Sequence, residues 1–420
     1  MQGSGRMSYD QLNQHELAKL VPELLLSGHM IDRSGMGHVL AAFGQKAMTQ
    51  VAIEEWMGAS PVYTRRMRAA FGLTGDTVAE IFKMMQLDVG APPQFMDFRY
   101  SVIDDHHGDV YLQHCGALLD VEPLGEEAVK EMCHDIEDPT FEATAIATNP
   151  RARFIPIHRP PRVPADQHPH CAWKVSIEPE NAALPIPEEA NVIGATEAAT
   201  VQLSPIDPNE EGISDYRGPL TDDLRFQQWS RSALTRMAEE VALQHHLLSL
   251  SFDLSMRGRC EADQATDVLR KQFTGVAGVA AARLRRCLNV GEGADDLARV
   301  IRLHPALNPL QYTGITVAAL GTDGVAIRLP ADSPAMRDRG WMSTIDTDHY
   351  EPLEAIAVGV DPHWNNLRAH HDGTDLVVEI RWSQDAAKRR GEVAMTEFSK
   401  GAAFDFADRG IPLPLTPIRH

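Results

Sequence analysis

Positive charge is scarce in this chain. Its 420 residues carry 39 Lys and Arg against 59 Asp and Glu, a formal net charge of −20. That balance excludes nucleic-acid backbones and anionic membrane surfaces as default partners, because both are held by clustered Lys and Arg. Long apolar runs are absent as well. No uninterrupted stretch approaches the ~20 residues needed to span a bilayer, and the opening MQGSGRMSYD lacks the apolar segment of a secretory signal; a cytoplasmic protein is expected. Cysteine is rare, five in all, odd in number and without framework spacing. This excludes a disulfide scaffold and leaves the thiols free for ligation or chemistry in a reducing compartment. GxSxG, HExxH and GxxxxGK(S/T) do not occur, and GVAGVAAARLRR from position 275 is too loose for a dinucleotide loop.

What is present is the composition of a globular protein, 43% hydrophobic and 23% charged, with length enough for two domains. A stretch rich in Pro, Ala and Glu over 178–220 reads as a surface connection, dividing an N-terminal domain, 1–177, from a C-terminal one, 221–420. In the first, apolar spacing predicts a helix over 35–57, a second from Ser60-Pro61 to 71 and a third over 76–87. FMDFRYSVIDDHHGDVYLQHC then predicts two strands around a turn at His107-Gly108-Asp109. A short helix over 125–133 and strands near 152–157 and 171–177 complete the half.

The second half repeats the order: helical text over 222–303, a hairpin in LQYTGITVAALGTDGVAIRLP, a short helix in EPLEAIAVGVDPHW and a strand in TDLVVEIRW. The expected fold is therefore α+β, a tandem duplication of helices packed on an antiparallel sheet. Aligning the copies matches Tyr100 with Tyr312 and Val110-Tyr111-Leu112 with Val325-Ala326-Ile327. Cys115, Cys133, His134 and Cys171 then face Pro330, Gly359, Val360 and an aliphatic residue, and Asp135 alone keeps a counterpart, Asp361. The fold does not need those thiols, so their presence in one copy points to a site there.

Three stretches carry the chemistry: HHGDVYLQHC, CHDIED and HPHC. Thiolate and imidazole together select a borderline-soft metal, Zn or Fe, and Cys115, Cys133, Cys171 and His170 are the candidate ligands. Cys133, His134 and Asp135 are the candidate catalytic groups, Asp135 as general base or as the partner of an imidazole. Arg159 and Trp173 are candidate substrate contacts, Arg159 and Arg162 being suited to a carboxylate. His106, His107 and His168 read as loop residues, His245-His246 as a solvated face, and the Met-rich helices as core. Glu131 and His134 have the i, i+3 spacing of di-iron carboxylate bundles.

The cysteine contexts together resemble the L-2-amino-thiazoline-4-carboxylic acid hydrolase family over roughly residues 30–178. Cys115 precedes a short helix, Cys133 stands two residues before Asp135, and Cys171 opens a strand with Trp173 two residues on. Cys115 is followed by Gly116 where the family typically has Pro, and the family lacks a second copy. The resemblance implies hydrolysis of a C–N bond in a small cyclic or amide-like compound, by thiolate attack or by a thiolate-bound metal. The C-terminal half would then cover the site or form a homodimer interface. A protein that binds a metal or small ligand without turnover, and a thiolate-metal oxidoreductase, are the alternatives.

Overall fold

The computed structural model describes residues 8–399; the first seven residues of the opening segment lie outside them. Asn13 starts the first long helix. Its side chain accepts from the Glu16 amide and the Glu16 carboxylate accepts from the Asn13 amide, a reciprocal cap. Helix α1 (Gln14–Phe43) runs to Gly44, whose φ of 80° resists an L side chain, and α2 (Gln45–Ala70) begins there. The expected helix over 35–57 and restart at Pro61 are thus corrected. Ser60 donates to the Trp56 carbonyl from within α2, so Ser60-Pro61 lies inside a helix and starts none.

After α3 (Val78–Met85) come β1 (Met96–Val102) and β2 (His107–Cys115), an antiparallel hairpin. Its turn lies at 103–106, organised by Asp104 accepting from the His106 amide at 2.8 Å. Gly108, expected in the turn, pairs with Val102 inside the ladder. A Cβ there would lie 2.8 Å from Phe82 and Val78 carbons, so glycine serves close packing of α3 on the strand. Helices α4 (Gly116–Val121) and α5 (Glu126–Lys130) lead through a π-helical turn, Glu131–Ile136, into α6 (Glu137–Ile146). Strands β3 (Ala152–His158) and β4 (Cys171–Ile177) complete a sheet of order β1-β2-β4-β3.

The connection carries α7 (Glu188–Gly194) and α8 (Glu197–Thr200), which pack on α2. The second half then supplies α9 (Arg231–Arg257), α10 (Ala262–Cys287), α11 (Ala294–Leu303), α12 (Leu310–Thr313), β5 (Thr316–Ala319) and β6 (Gly324–Leu329). It ends with α13 (Pro334–Arg337), α14 (Glu351–Val360), β7 (Asn366–Asp372), β8 (Asp375–Arg381) and α15 (Gly391–Glu397). Its sheet, β5-β6-β8-β7, has the same order and the same antiparallel ladders as the first. The α+β tandem plan is therefore present.

The residue alignment between copies holds only in part. Leu112 pairs with Cys171 and Ile327 with Val378, so Cys171 is level with an aliphatic residue as expected. Tyr312, however, lies in α12, ahead of β5. Helix α14, like α6, is the last helix before the third strand and packs on the second long helix of its half. Its counterpart is α6, so Asp361, at the end of α14, does not correspond to Asp135 in the π-helical turn.

The two halves share one core. Helix α1 packs on both α9 and α10, and α2 on α9. Two glycines seven residues apart on α1 allow the central approach: a Cβ on Gly28 would lie 2.4 Å from Val89 Cγ1 and 2.8 Å from His245 Nε2, and one on Gly35 2.8 Å from a Phe252 ring carbon. His245 and His246, expected on a solvated face, are buried here, donating to the carbonyls of Leu24 and Asn308 at 2.8 Å each. Burial lowers their pKa values to about 3 and about 4, keeping both neutral. Among the described residues no helix is long and apolar enough to cross a membrane.

Gly28→Ala and Gly35→Ala are each expected to cost about 1–3 kcal/mol in urea unfolding, the range for overpacking a filled core. Unchanged midpoints would show that α1 and α9 are not in closest contact at these positions.

Candidate functional site

Cys115 ends β2 and caps α4, its sulfur accepting from the Leu118 amide at 3.3 Å. Cys171 opens β4, level with Leu112 across the ladder. Cys133 lies on the buried side of the π-helical turn. The three thiols lie within electrostatic reach of one another and of Glu137. Burial is the main effect on all three and Glu137 the next. Together they push Cys171 up to about 12 and hold Cys115 and Cys133 well above the ordinary thiol value, so all three are neutral thiols at neutral pH.

The other sequence candidates stand differently. His170 is buried, and its Nδ1 accepts the Cys115 amide at 3.1 Å; burial, then Arg162 and the neighbouring histidines, lower its pKa to about 4. Asp135 is exposed on the far side of its turn, away from the thiols, because the buried positions there are Cys133 and Ile136. His134 donates to the Pro160 carbonyl at 2.6 Å, and Glu131 accepts from Gln45 and Thr49, so that pair does not meet. Arg159 is bound by Asp138 and lies over the buried Trp173 ring at 5.6 Å, while Arg162 forms two 2.7 Å bonds to Glu122. Both guanidinium groups are thus occupied by the protein's own carboxylates. Among the described residues no three His, Cys, Asp or Glu side chains gather as a metal-binding set. The thiol cluster with His170 does not fit a Zn or Fe site.

Beside the thiols lies a cavity of about 520 Å³ between α1, α2 and the first sheet. Its wall is chiefly apolar, with Met36, Met48, Met85, Met96 and Met132 among the lining side chains, an adaptable surface for an organic ligand. Glu137 lines it too, so one carboxyl faces both the cavity and the thiols. Burial, reinforced by Asp138, raises the Glu137 pKa to about 8. Asp88, also in the lining, accepts from Tyr63 Oη and the Gly90 amide, at 2.7 Å each, and burial raises its pKa to about 6.

The α1 face toward the cavity presents His29, Asp32, Arg33, Met36, Gly37 and Leu40, a stripe of helical period. His29, Asp32 and Arg33 share that stripe with Met36, Gly37 and Leu40. Three ionisable groups on it were the available sequence signal, unread because Met36 and its neighbours pattern as ordinary core. Arg33 pairs with Asp120 and donates to the Phe398 carbonyl. Phe398, which follows α15, also lines the cavity. The C-terminal half therefore contributes to the cavity's wall.

Comparison of the chain with protein-family models, with curated proteins and with solved structures finds no match.

Iodoacetamide at neutral pH, followed by peptide mass mapping, is expected to label the two part-exposed thiols, Cys260 just beyond α9 and Cys287 at the end of α10, and to leave Cys115, Cys133 and Cys171 unmodified until the protein unfolds. Fast labelling of Cys133 in the folded protein would contradict this and restore it as a nucleophile.

Proposed function

We propose that the protein is a hydrolase of a small organic molecule that binds in the N-terminal cavity, and that buried carboxyl groups, not thiolates, carry the proton transfers. The observation behind this reading is Glu137: a carboxyl with its pKa raised to about 8, lining an apolar cavity that a second carboxyl, Asp88, poised at about 6, lines as well. Two carboxyl groups with separated pKa values supply a general acid and a general base at the same pH.

For a C–N bond of a cyclic or amide-like compound, the bond class implied by the family resemblance, the steps balance simply. Asp88 takes a proton from water as the water oxygen bonds to carbon. Glu137 gives its proton to the nitrogen as the C–N bond breaks. The neutral thiols behind Glu137 form a low-dielectric backing that keeps its proton on, since burial is the largest cause of its shift.

The test is turnover of a panel of small cyclic amides and amidines, followed by mass spectrometry, in wild type, Glu137→Gln and Cys133→Ala. The rate is expected to be highest between about pH 6 and about pH 8. It falls below that window as Asp88 is protonated and above it as Glu137 ionises. Glu137→Gln should lower kcat by about 10²–10⁴, and Cys133→Ala should keep most of it. Loss of turnover only in Cys133→Ala would overturn the carboxyl mechanism; binding without turnover across the panel would favour a ligand-binding protein.

A further inference from the structure

Behind the α1 stripe, Asp32 meets Glu55 of α2. Glu55 is fully buried, and its Oε2 has no hydrogen-bond partner of the ordinary kind, nor has Asp32 Oδ1. The network around Glu55 dictates its roles. Trp341 Nε1 can only donate, and it donates to Gln272 Oε1 at 3.1 Å, which turns the Gln272 amide nitrogen toward Glu55 Oε1 at 3.3 Å. Oε1 is thereby an acceptor, and Oε2 is left facing Asp32, with which Glu55 is hydrogen-bonded. Two carboxylates cannot bond to each other unless one carries a proton. A proton held between Glu55 and Asp32 satisfies both unpartnered oxygens at once and leaves the pair one negative charge.

Arg33 reaches that charge electrostatically and offsets part of it from outside the pair. Arg33, one residue along α1, is bonded to Asp120 and to the Phe398 carbonyl. His29 is held neutral, its pKa lowered to about 3 chiefly by burial, and its buried Nδ1 is a second unpartnered acceptor on the cavity wall. The rings of Trp56 and Phe95 flank His29, at 6.3 and 4.9 Å between centroids. Asp88 adds further negative charge to the lining, while Asp120 there is balanced by Arg33. The cavity end thus offers an anionic pair, a neutral ring nitrogen that accepts, and aromatic faces, which is the complement of an organic ammonium group.

We infer that Asp32 and Glu55 share one proton and that Asp32, the member of the pair on the cavity wall, binds a protonated amine on the molecule that enters the cavity. This rests on the reading of the cavity as the site of function and adds the substrate class: an amine on a compact apolar body. Trp341 and Gln272, both from the C-terminal half, act as positioning residues for the pair.

The groups that set its charge with pH are His29 and Arg33 on α1, Gln272 on α10, Asp120 on α4, and Asp88. Of these, His29 and Gln272 stay neutral, and Arg33 and Asp120 stay paired. Burial raises Asp32 to about 6, Trp56 and Arg33 acting against it. Below that pH the pair gains its second proton and loses its charge.

The test is isothermal titration calorimetry of the full chain with benzylamine and with benzyl alcohol, its neutral isostere, at pH 7.5 and pH 5, in wild type, Asp32→Asn and Glu55→Gln. Benzylamine is expected to bind at least about tenfold more tightly than the alcohol at pH 7.5, the scale of one charge-assisted hydrogen bond. The preference should vanish at pH 5 and in Asp32→Asn, while alcohol binding persists. Glu55→Gln leaves Asp32 with a donor and an unshared charge, so amine preference should survive at pH 7.5 and extend to lower pH. Equal binding of the two probes by wild type at pH 7.5 would overturn the amine site and leave the cavity reading standing. Failure of both probes to bind would overturn both.

Discussion

The close crossing of α1 with α9 is the contact on which the rest of the structure depends. Gly28 and Gly35 bring one half's first helix against the other's, with His245 and Phe252 filling the notches. That approach sets α1 over α10 and α2 over α9, and it closes the helical side of the cavity. A pair of helices held farther apart would leave the Gln272 amide out of reach of Glu55, and the carboxyl pair would lose its only bond to the second half. The tandem halves are thus joined through the same helices that carry the cavity's polar groups.

Around that cavity the protein keeps groups that burial disfavours. Asp32, Glu55, Asp88 and Glu137 all have pKa values raised mainly by desolvation. Each contributes most to stability when protonated, below the ordinary carboxylate range, and that contribution is lost as pH rises toward the folded-state value. A core built for stability alone would fill these positions with apolar side chains of similar volume. Asp32, Asp88 and Glu137 line one cavity and Glu55 lies behind Asp32, in a bundle otherwise packed with Leu, Val, Phe and Ala, a distribution that the proposed site accounts for.

The strands were legible because apolar and polar residues alternate in them: β3, β4 and β8 fall where the pattern placed them. Strand β7 was not, because NLRAHHD is an exposed edge whose only fully buried residue is Leu367. The break at Gly44 was hidden by Ser60-Pro61, a stronger local signal that α2 absorbs. The three cysteines were marked out by their absence from the second copy, whereas their neutral state was not legible, since it depends on Glu137 and on burial. Asp135 was read as the acid/base group and Glu137 went unread: both follow Cys133 in CHDIED, and only the wide π-helical turn decides which one faces inward. The carboxyl pair was out of reach of sequence reasoning altogether, its two members lying on separate helices.

The most direct measurement of whether this polar cluster is kept at the expense of stability is the unfolding free energy of Glu55→Gln against wild type from pH 5 to pH 8. Glutamine has no proton to lose, so the variant should gain on wild type by up to about 1.4 kcal/mol per pH unit above the ordinary carboxylate range, and be the more stable protein at pH 7.5. A variant less stable than wild type at every pH, by a constant amount, would mean that the Glu55 carboxyl is a structural bond and that the pair holds the fold together instead of serving the cavity.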